Sequence, residues 1–63
     1  MMTVEQIDIE IKSIDSRVLR LEKINDEYAA RNGIINGSIY NQIQKLMDRR
    51  DELYIMKLDM GGI

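Results

Sequence analysis

At 63 residues, 44% hydrophobic and 32% charged, the chain is one small domain, near the size at which a single core barely offsets chain entropy. It contains no Cys and no His, which excludes a disulfide scaffold and removes the usual ligands of a structural zinc site. The net charge of −2 comes from interleaved acids and bases, a pattern that disfavours a polyanion as the main partner. Small chains without such staples reach stability by associating, so a homo-oligomer is expected, with a dimer as its simplest form.

The N-terminal segment Met1–Gln6 has neither the basic stretch nor the apolar run of a signal peptide. No window is long and apolar enough to span a membrane. The expected location is the cytoplasm, or the host cytosol if the chain is phage-encoded. A membrane-surface helix is disfavoured because the polar faces are not basic enough.

The first predicted element covers about residues 4–32. Val4, Ile7, Ile11, Ile14, Val18, Leu21, Asn25 and Tyr28 recur at alternating spacings of three and four, uninterrupted by Pro or Gly. That is a helix with a coiled-coil seam holding one polar member. Thr3 is a good N-cap, and Gln6 three residues later completes a capping box. Met2 and Ile7 occupy the two positions of a hydrophobic staple, and Glu5 places negative charge in the first turn. Asp8–Lys12 and Glu27–Arg31 are spaced as acid-to-base i,i+4 pairs. Gly33 supplies a left-handed stop.

Residues 33–37 read as a helix–helix loop, with Ile34 and Ile35 covering the closed end of a hairpin. Ser38 is the expected second N-cap. A second helix over about residues 38–60 carries Ile39, Tyr40, Ile43, Leu46, Met47, Leu53, Tyr54, Met56, Leu58 and Met60. Gly61-Gly62 ends it, and the tail 61–63 is expected to fray.

A short loop makes the helices antiparallel neighbours. Matching the two seams gives the layers Tyr28–Ile43, Asn25–Leu46, Leu21–Arg50, Val18–Leu53, Ile14–Lys57 and Ile11–Met60. Arg50 and Lys57 then fall on the seam. Either their stems cover apolar surface while the heads reach acids such as Glu22 or Glu10, or they specify register together with Asn25. In this register Val4 and Ile7 overhang the second helix. The fold class predicted is therefore all-α, an antiparallel two-helix hairpin pairing into a homodimeric four-helix bundle.

Little chemistry is encoded. No residue set has catalytic, cofactor-binding or metal-binding spacing: the serines lack a nearby base, and the carboxylates lie mostly off the seam. The glycines form no phosphate cradle, and a carboxylate di-metal site needs a His the chain lacks. The Asp48/Asp51/Glu52 group lacks the loop geometry of a calcium site.

The open end is the predicted contact surface, comprising Val4, Ile7, Ile9, Leu53, Tyr54, Ile55 and Leu58. Residues 53–58 are apolar almost all the way round, which calls for burial on more than one side. The stripe Tyr40, Met47, Tyr54, with Met56 and Met60 nearby, reads either as core or as a face that docks on a partner. The function expected is non-enzymatic protein–protein interaction, as an adaptor, regulator, inhibitor or assembly subunit such as that of a phage particle.

The alternative is nucleic-acid binding through Arg17, Arg20, Lys23, Arg49 and Arg50. Dimeric RNA-binding hairpins of the ROP type are similar in length and architecture, though no motif is shared. The interspersed acids and the absence of Phe and Trp for base stacking weigh against it.

Overall fold

A computed structural model describes residues 2–61 of the chain. Two helices, α1 (Val4–Asn32) and α2 (Gly37–Asp59), pack against each other as an antiparallel hairpin measuring 45 × 18 × 14 Å. A 29-residue helix rises about 44 Å, so α1 alone sets the length of the rod.

The start of α1 follows its local chemistry. Thr3 is extended, its hydroxyl accepts from the Gln6 N–H at 3.1 Å, and its own N–H donates to Gln6 Oε1 at 2.8 Å. Met2 packs against the core cluster that contains Ile7, as a staple requires. Thr3→Ala should cost about 1 kcal/mol, measurable as a lowered urea midpoint by circular dichroism. No change would mean that the box is incidental to stability. At the other end, Gly33 is left-handed with φ 73° and its N–H donates to Ala29 O at 2.8 Å, the stop predicted for it.

The connection departs from expectation. Asn36, not Ser38, caps α2: its side chain accepts from the Ile39 N–H at 3.1 Å, and Gly37 is already helical. Asn36 also donates its own N–H to Asn25 Oδ1 at 2.7 Å, eleven residues back. Residues 33–36 therefore return along α1 as a strap. Eight helical residues from Asn25 to Gly33 rise about 12 Å, close to the reach of four extended residues. Ile34 and Ile35 stay exposed on this strap instead of closing the hairpin end.

The folded-back strap moves the register. Lys57 Nζ lies 2.8 Å from Asp8 Oδ1, and Arg50 Nε lies 2.7 Å from Asp15 Oδ1. Those acids are each six positions before the residues expected opposite the two cations and adjoin Ile7 and Ile14. Relative to the predicted layers, α2 has slid about one heptad toward the N-terminus of α1. The slide leaves every apolar repeat on the seam, which is why periodicity did not distinguish the two registers.

The main consequence concerns the end expected to be open. Ile7 and Leu53 are the two fully buried large side chains, both at 0% exposure. With Ile11, Ile14 and Val18 they form the core, flanked by Met2, Ile43, Leu46, Met47 and Met56. Val4 is half-buried, so neither it nor Ile7 overhangs. Beyond Asn25, α1 continues alongside the strap that leads to α2. Helix α2 ends at Asp59, with Met60 as C-cap and Gly61 at φ 69°; the tail expectation past Gly61 lies outside the described residues.

Candidate interaction surface

The ion pairs account for the seam cations. The heads of Arg50 and Lys57 do reach acids, but these are Asp15 and Asp8, not Glu22 or Glu10. Arg50 also stands over the Tyr54 ring, 5.1 Å from its centroid, a cation–π contact. The Arg50 Nε–H is not aligned on the Asp15 oxygen and has no hydrogen-bond acceptor, so that pair is Coulombic. Arg49 donates through Nε to Glu10 at 2.7 Å and reaches Glu52 at 3.3 Å. The hydrogen bond to Glu10, then its charge, holds the Arg49 guanidinium above its ordinary range. Neither predicted pair within α1 is among the ion pairs of the described residues: Asp8 turns to Lys57, and Glu27–Arg31 stays open.

These contacts sort the predicted site residues. Ile7 and Leu53 are consumed by the core and have nothing left for a partner. Ile9 is exposed, but it lies two residues past Ile7, about 160° round the helix. It faces away from α2 and does not join the others. Tyr54, Ile55 and Leu58 are exposed, the last two at 59%. At spacings of three and four they form one continuous patch on α2, with half-buried Val4 belonging to the same end of the rod.

That patch extends into a longer stripe. Tyr40, Met47 and Tyr54 recur every seven residues, and Leu58 follows four later. Met47 packs against the core while both tyrosines stay exposed. The stripe is therefore neither fully core nor fully free. It borders the first seam as a second one.

Of the basic residues predicted as nucleic-acid contacts, Arg49 and Arg50 are held by acids and do not join the rest. Arg17 and Arg20 come together instead with Lys45 around a groove of about 400 Å³ whose other lining is Leu21, Gln42 and Leu46. Lys23 does not line it. Lys45 is close to Arg49 and Arg50 in the sequence, and it is the heptad shift in register that brings it beside Arg17.

Among the described residues, no three His, Cys, Asp or Glu side chains gather in a way that could hold a metal. No helix there is long and apolar enough to cross a membrane. Comparison with family models, curated proteins and solved structures finds no match to this chain.

Proposed function

We propose that this chain is a non-enzymatic protein–protein interaction module that works by self-association, with a homodimeric four-helix bundle as its first unit. An adaptor, regulator or inhibitor, or an assembly subunit of phage type, acting in the cytosol, is the class of role that fits such a part. The observation that carries the reading is an imbalance in burial. Five apolar side chains form the core, whereas eleven large ones are exposed among the described residues. Single exposed apolar residues are ordinary, but Tyr40, Tyr54 and Leu58 are aligned along one helix beside the half-buried Met47. A helix with two adjoining seams is the form a four-helix bundle uses, because each of its helices has two neighbours.

The test is sedimentation at micromolar and higher concentrations. Wild type is expected to associate, and a folded monomer throughout the range would sink the proposal. Ile55→Glu with Leu58→Glu should weaken association by about tenfold or more while leaving helicity in place, since both residues are exposed in the hairpin. Unchanged association would place the contact elsewhere.

A further inference from the structure

Among the described residues, the helices leave a groove on each flank of the rod. The first is lined by Arg17, Arg20 and Lys45 over Leu21 and Leu46. The second is lined by Glu22 and Asp26 beside Ile35, Tyr40 and Ile43. Arg17 and Glu22 on α1, and Tyr40 and Lys45 on α2, are five residues and so about 140° apart, which puts the grooves on opposite sides. None of these five charges has an ion-pair partner among the described residues. On the acidic flank Leu19 precedes Glu22 by three residues and Asp26 by seven, on one face of α1, and it is 68% exposed.

We infer that a second copy of this chain fills the basic groove, seating its Leu19 between Leu21 and Leu46 and setting its Glu22 and Asp26 against Arg17, Arg20 and Lys45. The inference deepens the self-association proposed above and rests on it. Lys23 lies on the outer side of Leu19, about 100° round α1 from Glu22. The inner side of the ridge, Leu19 with Glu22 and Asp26, matches a groove with an apolar floor and basic walls. In hairpins placed side by side without sliding, Leu19 and Glu22 of one lie at the level of Leu21 and Arg20 of the other. Asp26 lies about 9 Å further along than Arg20, within the combined reach of the two side chains. Nucleic acid fits less well, because no aromatic side chain lines the groove and the chain is net negative. The contact joins unlike patches, so a dimer keeps one free ridge and one free groove. Such a contact adds further copies in a row or closes into a ring.

Two variants test this, each altering one exposed side of the contact. Arg17→Glu/Arg20→Glu reverses the groove and leaves the ridge intact; Leu19→Glu spoils the ridge and leaves the groove intact. Circular dichroism should show both as helical as wild type. Each alone should associate more weakly than wild type by about tenfold or more, measured by sedimentation. Mixed in equal amounts they should form a one-to-one complex that grows no further, because one good ridge meets one good groove. If wild type associates and both variants match it, or if the mixture stays monomeric, the inference fails while self-association stands. If wild type is monomeric, both fail. If a single-stranded RNA oligonucleotide binds wild type and Leu19→Glu equally but not Arg17→Glu/Arg20→Glu, the groove belongs to nucleic acid and the inference is overturned.

Discussion

Truncating Leu53 to alanine should cost about 2–5 kcal/mol, and truncating Ile7 to alanine should cost a comparable amount. Both side chains are fully buried in the same five-residue core. A 63-residue chain has roughly 3–9 kcal/mol of stability in total, so either change leaves a partly or wholly unfolded population. Ile7 is the sharper of the two tests. On an overhang its truncation would fall within the roughly 0.5 kcal/mol expected of a surface change; with α2 one heptad further along, it creates a core cavity. Urea titrations followed at a helical band would measure both. Because association also stabilises by mass action, they belong in a Leu58→Glu background or across a range of protein concentrations. An Ile7→Ala midpoint equal to that of its parent would contradict the register.

How much was legible follows from how local each signal is. The start of α1 depends on Met2, Thr3, Gln6 and Ile7, a few residues that reach one another whatever the rest of the chain does. The Gly33 stop is equally local. Register is not. Sliding one seam past the other by seven residues keeps apolar facing apolar, so a set of mutually consistent layers did not discriminate. The discriminating information lay in the polar exceptions. Arg50 and Lys57 on the seam need acids beside it, and Asp15 and Asp8 share their seven-residue spacing. Asn25 in a buried layer needs a partner, which facing Leu46 does not provide. Asn36 is as good a cap as Ser38, and choosing it shortens the connection and starts α2 earlier. The interaction surface divides the same way: the exposure expected of Ile7 and Leu53 depends on register and both are buried, whereas that of Tyr54, Ile55 and Leu58 depends on the pattern of α2 alone and all three are exposed.

Asn25→Leu should loosen that register without removing the helices. In the structure Asn25 is 6% exposed and accepts the Asn36 N–H. One heptad away it would face Leu46 with its amide unsatisfied, at a cost of about 1–3 kcal/mol, while Arg50 and Lys57 would lose Asp15 and Asp8. Leucine at position 25 is content in either layer. It also strips the acceptor from the Asn36 N–H, so the native register loses support as the competitor loses its penalty. The ratio of the two should shift by roughly ten- to a hundredfold. The chain has no cysteine, so spin labels can be placed cleanly through Ser13→Cys and Asp51→Cys, both at exposed positions. Wild type should give one distance, whereas Asn25→Leu should add a second component from helices offset by about 10 Å along the rod, the rise of seven residues. A variant that is destabilised yet keeps the single wild-type distance would show that Asn25 strengthens this register without choosing it. The choice would then fall to Asp8 and Asp15, whose replacement by asparagine would have to produce the second component instead.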